Sequence, residues 1–316
     1  MFVFSGGTQL MSSGKAGPAM PGPVEYALLA GVSLTWGTSY MFTKIAVGTL
    51  QPFTLIACRC FVAAIALLLI VTFRRSFKRL SWKDVAAFAL VGLMSNAAPL
   101  SLIAISVSHV NSSVTATTLA LVPLITAMLA VFGGDRPKPR NIAGILIGLV
   151  GIVLLFGPDA LLHAGESARG AIAAVGAALV FSSALFVMAI VRHHDPLTVT
   201  VGSLMAAALW MIPTALIVDG IPPAWPSIGV TGAVLVLGLL NTALSSLMLF
   251  ALVPRAGATF TSYNNYLVPV IAVLCGTVFL GEPMTAQSAL GVIVVLAGVG
   301  ISTVRRSARP ERLLHQ

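Results

Sequence analysis

The chain contains few charged residues, and negative charge is especially scarce. Only 9% of its 316 residues are charged, with nine Asp or Glu against 18 Lys or Arg. A soluble globular domain carries about 25% charged residues, which cover its water-facing surface. The basic residues fall mainly in short breaks between apolar runs and form no patch suited to nucleic acid. The scarcity therefore excludes a soluble enzyme and a nucleic-acid-binding protein, and it predicts a chain embedded in the lipid bilayer.

Cysteines and catalytic motifs are also scarce. Cys58, Cys60 and Cys275 all lie inside apolar runs, and the first two point to different sides of a helix and cannot pair. No His-Glu-x-x-His zinc motif and no Gly-x-x-x-x-Gly-Lys nucleotide motif occurs. His109 is the only histidine that we place near an apolar run, at its outer end. We therefore expect no metal site, no cofactor and no enzymatic activity.

Apolar sequence, in contrast, is abundant, since hydrophobic residues make up 58% of the chain. A membrane helix needs about 20 mostly apolar residues. The apolar runs are continuous and lack the alternation of polar and apolar residues that marks the strands of a membrane barrel. The sequence therefore predicts an all-α integral membrane protein with ten transmembrane helices, at 27–46, 52–73, 85–106, 110–132, 141–158, 170–191, 197–218, 228–252, 258–280 and 285–304.

The positions of the basic residues predict which way the spans face. If the N-terminus is cytoplasmic, fifteen of the 18 Lys and Arg residues lie on the cytoplasmic side and one, Arg169, lies outside. Because cytoplasmic loops carry the excess of Lys and Arg, we expect a multi-pass protein of the cell membrane with both termini in the cytoplasm. Residues 1–26 are predicted to form a disordered tail, and 305–316 a cytoplasmic basic tail.

The sequence also resembles itself at a nearly constant spacing. The tripeptide Leu-Val-Pro at 121–123 recurs 146 residues later at 267–269. Gly and Pro residues match at the same spacing, as in Gly92 with Gly238 and Pro137 with Pro283. The spacing predicts two copies of one fold, at 27–158 and 170–304, with five spans each. Because five is odd, the second copy enters the bilayer from the opposite side, and such inverted repeats are typical of secondary transporters.

Short motifs within and between the spans carry a family resemblance. They are Trp36-Gly37-Thr38, Pro52 with Arg59, and the closing pattern Leu267-Val268-Pro269, Gly281-Glu282-Pro283, Gly291 and Gly298. These residues resemble the EamA domain of the drug/metabolite transporter superfamily, in two copies over 27–304. The resemblance implies a ten-helix exporter or exchanger of small metabolites with a central cavity. The chain departs from the pattern at 134–137, where Gly-Asp-Arg-Pro replaces Gly-Glu-Pro, and at Phe181, which stands where the first copy has a tryptophan.

Arg59 and Lys44 are the two charged residues within spans. A charge at that depth is costly unless it faces the bundle interior or water. Arg59 is either a counter-ion for an anionic group of a substrate or a structural residue that bonds helix carbonyls or extends to the interface. The resemblance, which includes an arginine here, favours the structural role. Lys44 either extends to the interface or acts as a gate or substrate contact. No Asp or Glu lies within a span, so we expect no carboxylate relay for protons.

Polar side chains inside the spans are the remaining candidates for substrate binding. Unpaired amides and hydroxyls are costly in lipid, so they need partners or a wet cavity. Lining a cavity and joining neighbouring helices are the two alternatives. Together with Arg59, the candidates are Trp36, Thr38, Ser39, Asn96, Thr117, Thr118, Ser182, Ser183, Phe186, Asn241, Thr242, Tyr263, Asn264, Asn265 and Tyr266.

The leading functional hypothesis is secondary transport, by export or exchange, of a small metabolite such as an amino acid or a related carboxylate-bearing compound. Efflux of cationic or amphipathic drugs is the alternative, and a membrane-embedded enzyme is a more remote one. The expected partners are a small-molecule substrate and the lipid bilayer, without nucleic acid. Glycines such as Gly151 and Gly298 suit close helix contacts, either within the chain or in a homodimer.

Overall fold

A computed structural model describes residues 21–73, 80–132, 139–162, 166–222 and 226–303. Within these ranges all regular secondary structure is helical, which confirms the all-α prediction. A helix satisfies its backbone N–H and C=O groups within its own segment, as a chain surrounded by hydrocarbon requires. Most of the two predicted tails and the motif at 134–137 lie outside the described residues.

The helices follow one another with short connections. In the first half they are α1 (Pro23–Val47), α2 (Pro52–Phe73), α3 (Trp82–Gly92), α4 (Ala98–His109), α5 (Ser112–Leu119), α6 (Val122–Phe132) and α7 (Pro139–Leu162). In the second half they are α8 (Glu166–Val187), α9 (Pro196–Val218), α10 (Ile228–Gly238), α11 (Ser245–Thr261), α12 (Asn264–Phe279) and α13 (Ala286–Thr303). Two π-helical segments, Leu93–Ala97 and Leu239–Leu244, join α3 to α4 and α10 to α11, and a 3₁₀ turn, Met188–Val191, extends α8.

Six helical stretches are long and apolar enough to cross a membrane, by length and composition. They are Pro52–Phe73, Trp82–His109, Ser112–Leu129, Ser167–Val191, Pro196–Val218 and Ile228–Gly257. Three shorter helical stretches, Ile142–Leu155, Asn264–Phe279 and Ala286–Ile301, are also apolar. These nine stretches, together with the 25-residue helix α1, lie where the ten spans are predicted.

Backbone breaks separate helices at matching places in the two halves. Val110 and Asn111 are extended and divide α4 from α5. Gly257, 146 residues after Asn111, interrupts α11 with φ of 79°, a conformation that glycine adopts without steric cost. The chain therefore changes direction at equivalent points of the two sequence copies.

The distribution of polar and apolar side chains is the reverse of that in a soluble protein. Large apolar residues such as Ile217 and Ile228 are 82% and 94% exposed, while Thr43 and Arg59 are buried. Hydrocarbon outside the bundle solvates the apolar side chains, whereas the polar ones need partners within it. Described polar side chains that lie away from the helix ends therefore depend on the bundle interior for hydrogen-bond partners.

Two glycines that are 146 residues apart each pack closely against a helix of the other half. A Cβ on Gly92 would collide with the Ser203 carbonyl oxygen of α9, and one on Gly238 would lie 2.6 Å from Val62 of α2. The two π-helical segments begin directly after these two glycines. In each half, the equivalent glycine thus contacts the second helix of the other half.

The glycines of α7 and α13 face each other. A Cβ on Gly298 would lie 2.7 Å from the Gly144 carbonyl oxygen and 2.8 Å from the Gly148 nitrogen, and one on Gly151 would lie 2.8 Å from the Val295 nitrogen. The two backbones therefore touch where side chains are absent. This contact lies within one chain, so these glycines serve the fold.

Candidate functional site

Arg59 lies at the centre of a polar network between the two halves. It is 5% exposed, and its Nε donates to Thr242 Oγ1 at 2.9 Å while its Nη1 donates to Ser39 Oγ at 3.0 Å. The network joins α2, α1 and the second π-helical segment. Among the described residues, no carboxylate forms an ion pair with Arg59. Within the described ranges the guanidinium bonds two hydroxyls and no helix carbonyl, so it places a buried positive charge, without a counter-ion from these residues, between the halves.

Asn241, which precedes Thr242 in the chain, forms its own hydrogen bonds to α1 beside this network. Its Nδ2 donates to the Thr35 carbonyl oxygen and, at 3.1 Å, to Thr38 Oγ1. Its Oδ1 is buried and has no hydrogen-bond partner among the described residues, and the same is true of Ser95 Oγ. Ser95 and Asn241 are 146 residues apart, one in each π-helical segment. Since an unsatisfied buried polar atom costs about 1–3 kcal/mol, this matched pair marks places where a ligand can bond.

Two further candidates join helices of different halves. Ser33 Oγ donates to Asn264 Oδ1 at 2.8 Å, which ties α1 to α12. Ser182 Oγ shares its proton between the Ala178 carbonyl oxygen of its own helix at 2.7 Å and the Val122 carbonyl oxygen of α6 at 3.1 Å, and the second contact ties α8 to α6. Both contacts support the interpretation of these residues as links between helices.

The remaining sequence candidates lie outside the hydrogen-bonded network. Thr117, Thr118 and Ser183 each donate to a carbonyl of their own helix. Tyr263 is 53% exposed and packs edge-on against Phe260. The half-buried candidates, which no hydrogen bond among the described residues joins to the network, are Trp36, Asn96, Phe186 and Asn265. Tyr266 packs against the apolar cluster of α5, α7 and α13.

The polar run 263–266 splits because successive residues of a helix point in directions about 100° apart. Asn264 therefore faces α1 while Tyr263 faces outward. A helical projection of α12 would have separated these residues, whereas their adjacency in sequence suggested one wall.

Sequence reasoning missed Ser33, Thr35 and Ser95. Ser33 is less than two turns before Trp36-Gly37-Thr38, and Thr35 contributes a backbone oxygen, which carries no residue-type signal. Ser95 had a usable signal, because it lies 146 residues before the candidate Asn241.

Comparison with known proteins now decides the family. The model of the EamA-like transporter family matches residues 24–157 and again 168–304. The chain belongs to the EamA-like transporter family. Its relatives include an uncharacterized transporter, YoaV, of Bacillus subtilis, 23% identical over 286 residues that cover 88% of this chain and 96% of that protein. The uncharacterized inner membrane transporter YedA of Escherichia coli is 27% identical over 281 residues, covering 86% of this chain and 88% of the relative.

Solved structures show the same fold. One crystal structure matches this EamA-like transporter with a TM-score of 0.63 at 20% sequence identity, over 88% of this chain and 96% of the other. This likeness concerns the fold, while the family match and the names of the relatives support a membrane transporter.

The carboxylates of this EamA-like transporter serve helix ends. All five whose side chains the structure describes accept hydrogen bonds at a helix N-terminus, where the helix dipole favours negative charge. They are Glu25 at α1, Asp84 at α3, Asp195 at α9, Asp219 at α2 and Glu282 at α5. None of these five is available to neutralise Arg59.

Lys44 is engaged at a helix C-terminus. Its Nζ donates to the carbonyl oxygens of Val107 and, at 2.8 Å, Val110, at the end of α4. Carbonyls in the last turn of a helix lack intrahelical partners, and a cation there is favourable. The geometry supports an anchor that joins α1 to α4, and it gives no contact that distinguishes a gate.

Proposed function

We propose that this EamA-like transporter is a secondary carrier, an exporter or exchanger, for a small metabolite with a carboxylate, such as an amino acid. The carrier works by alternating access between two inverted five-helix halves that cross the cell membrane ten times. The observation that carries the proposal is the buried Arg59, which has no counter-ion among the described residues and bonds to residues of both halves.

Equivalent contacts between the halves support the two-half arrangement. Gly92 packs on α9 as Gly238 packs on α2, and both π-helical segments occupy equivalent positions. π-Helical turns inside α-helices occur frequently at functional sites, because they displace a side chain from its regular direction. In this carrier they hold Ser95 and Asn241, the two residues with unsatisfied buried side-chain atoms in the part of the chain that the structure describes.

The chemistry of these groups fits an amino acid. A carboxylate is the natural partner of a guanidinium, which offers several donors in one plane. Asn241 Oδ1 is an acceptor without a donor among the described residues, and Asn241 directly precedes Thr242, which accepts from Arg59 Nε. We assign the substrate carboxylate to Arg59 and its ammonium group to Asn241 Oδ1. Both atoms are enclosed in this conformation, so access requires α1 to separate from the second π-helical segment.

The same chemistry disfavours the alternatives. A cationic drug carries no carboxylate to offset the positive charge of Arg59, and the five described carboxylates are bonded at helix N-termini. The family match and the relatives' names concern transporters, which favours a carrier over a membrane-embedded enzyme.

Exchange in reconstituted vesicles tests the proposal. Purified protein in liposomes is preloaded with an unlabelled amino-acid mixture, and uptake of each labelled amino acid is compared with uptake of its amide, which lacks the carboxylate. We expect exchange of at least one amino acid and little exchange of its amide. Equal uptake by protein-free vesicles, or equal uptake of acid and amide, would contradict the proposal.

Variants of Arg59 make the test specific. A hydrogen bond to a charged group contributes about 1.5–3 kcal/mol, so R59Q should lower exchange about tenfold or more, while R59K keeps the charge and should retain part of it. Arg255, which is exposed and donates to the Ala251 carbonyl of its own helix, provides the matched control R255Q with unchanged exchange. If R59Q stays folded and exchanges as fast as the unaltered protein, the assignment of Arg59 is wrong.

A further inference from the structure

Asp84, His193 and His194 form a cluster apart from the network around Arg59. Asp84 lies in the first turn of α3, and the two histidines lie in the connection between the 3₁₀ turn Met188–Val191 and α9. His194 Nε2 is 2.9 Å and His193 Nε2 is 3.5 Å from the same oxygen, Oδ1 of Asp84. The expectation that His109 is the only histidine near a span is wrong, because His194 is 12% exposed and packs beside Phe88 of α3.

We propose that these three side chains bind one divalent transition-metal ion of the zinc type. Imidazole nitrogens and carboxylate oxygens are ordinary Zn²⁺ ligands, at about 2.0–2.2 Å from the metal. Tetrahedral coordination at that distance separates neighbouring ligand atoms by about 3.3 Å. The three donor atoms lie within 4.8 Å of one another, so small side-chain rotations bring them to a common ion. A fourth position stays open for water.

The surroundings hold the ligands in place. Asp84 uses its other oxygen, Oδ2, to accept from the backbone nitrogen and the hydroxyl of Ser81, both at 2.8 Å. These bonds fix the carboxylate and leave Oδ1 pointing to the histidines. Supporting bonds of this kind orient metal ligands and raise metal affinity. The side chain of His193 is 62% exposed, which gives an ion a path from solvent.

The pairing of two imidazoles at one carboxylate matches a metal site. The rings of His193 and His194 are 4.1 Å apart, and both Nε2 atoms lie within 3.5 Å of Asp84 Oδ1. One imidazole would suffice to bond Asp84 Oδ1. Two imidazoles beside one carboxylate oxygen offer a cation three ligand atoms in one place. The neighbouring Lys83 and Arg192 are both exposed and can extend into water.

The site joins one sequence copy to the other, since Asp84 belongs to the first and the histidines to the second. If the proposed carrier mechanism holds, this end of the bundle is the cytoplasmic one, and a bound ion stabilises the arrangement in which α3 and the 192–195 connection are close. The metal site itself depends only on the three side chains, so it is tested without transport.

Metal binding is measured on the full-length protein purified in detergent through a tag without histidine. Zn²⁺ is titrated by calorimetry, and Co²⁺ is titrated by its visible absorption, which reports the coordination geometry. We expect one ion per chain and a higher melting temperature with Zn²⁺. H193A, H194Q and D84N should each weaken binding about tenfold or more, while H109A, whose ring bonds its own helix at Ile105, should bind as the unaltered protein does.

The exposed position of His193 keeps the test decisive. H193A removes a side chain that is 62% exposed, so the protein should stay folded even if H194Q or D84N destabilises it. Absence of a stoichiometric ion in the unaltered protein, or unchanged affinity in folded H193A, overturns the proposal and leaves a plain hydrogen-bonded cluster. Binding without carrier activity would reject the proposed function and keep the metal site.

Discussion

At the scale of single residues, the chain places each polar group according to what hydrocarbon requires. Hydroxyls such as Thr43 donate to a carbonyl one turn earlier in their own helix, which satisfies them without a partner helix. Carboxylates bond at helix N-termini, and Lys44 bonds at a helix C-terminus. Arg59, Ser95 and Asn241 differ, because among the described residues Arg59 lacks a counter-ion and the other two each keep a buried polar atom without a partner. This difference is the physical reason for placing the substrate beside them.

Substitution of Lys44 distinguishes a structural anchor from a gate. In K44M the carbonyl oxygens of Val107 and Val110 lose their donor, so we expect a loss of about 1–2 kcal/mol of stability, seen as a lower melting temperature in detergent. K44R should restore part of it. K83M is the matched control, because Lys83 is exposed. Substrate affinity should stay the same in K44M. A folded K44M with unchanged melting temperature and altered exchange would make Lys44 a gate.

At the scale of helices, glycines and caps decide which elements touch. Breaks at Asn111 and Gly257 and first-turn prolines such as Pro52 and Pro196 place the helix ends, and these residue types have clear positional preferences. The N-termini of α2 and α9 were therefore predictable from the sequence, whereas the predicted start of the ninth span at 258 lies six residues before α12 begins.

The directions of individual side chains were less predictable. The π-helical segments arise where tertiary packing of Gly92 and Gly238 against α9 and α2 dominates, and no local propensity marks them. They rotate Ser95 and Asn241 relative to a regular helix, so a 3.6-residue periodicity misplaces these two. Arg59 was found because charge at depth is conspicuous, while its partners Ser39 and Thr242 followed only in part from polarity.

Alanine should have opposite effects at Gly298, which lies in the contact between α7 and α13, and at Gly232, which lies in open space on α10. G298A places a methyl group 2.7 Å from the Gly144 carbonyl oxygen, so the two backbones must separate, at a cost of about 1–3 kcal/mol. G232A is the control, since no atom lies within 4 Å of its Cβ, and alanine should stabilise α10 by up to about 1 kcal/mol. Thermal unfolding in detergent measures both. Equal melting temperatures for the two variants would contradict the backbone contact.

Glu282 caps the N-terminus of α5 from a distant part of the chain. Its carboxylate accepts from the backbone nitrogens of Ser112 at 2.7 Å and Ser113 at 3.3 Å, at the N-terminus of α5. E282A should cost about 1–2 kcal/mol, and E282Q less, because an amide oxygen still accepts.

E25A is the matched control for this prediction. Among the described residues, Glu25 accepts from the nearby Gly22 nitrogen and from no distant part of the chain, so its loss should fray the start of α1 and lower the melting temperature less. If E25A lowers the melting temperature as much as E282A does, the long-range contact adds nothing to the cap.

At the scale of the whole molecule, contacts near the helix ends sort into two sets. One set contains Lys44 with Val107, Thr54 with Asp219, and Ser112 with Glu282, and the other contains Asp84 with His194 and Tyr26 with Phe260. The distribution of Lys and Arg predicts that the first set lies outside and the second inside. The packing of helix ends and the charge bias are independent observations, and they agree on which ends share a side of the membrane.

Cysteine accessibility tests that agreement directly. In a variant without the three native cysteines, single cysteines replace Thr49, Lys83, Arg169 and Arg192, all of which are exposed. A membrane-impermeant maleimide on intact cells should label T49C and R169C, because they lie outside in the ten-span topology. K83C and R192C should react only after the cells are permeabilised. Reversal of all four results would invert the orientation and preserve the two-half fold. Labelling of K83C together with T49C would place both ends of α2 on one side, and the inverted halves, with the carrier mechanism that depends on them, would have to be abandoned.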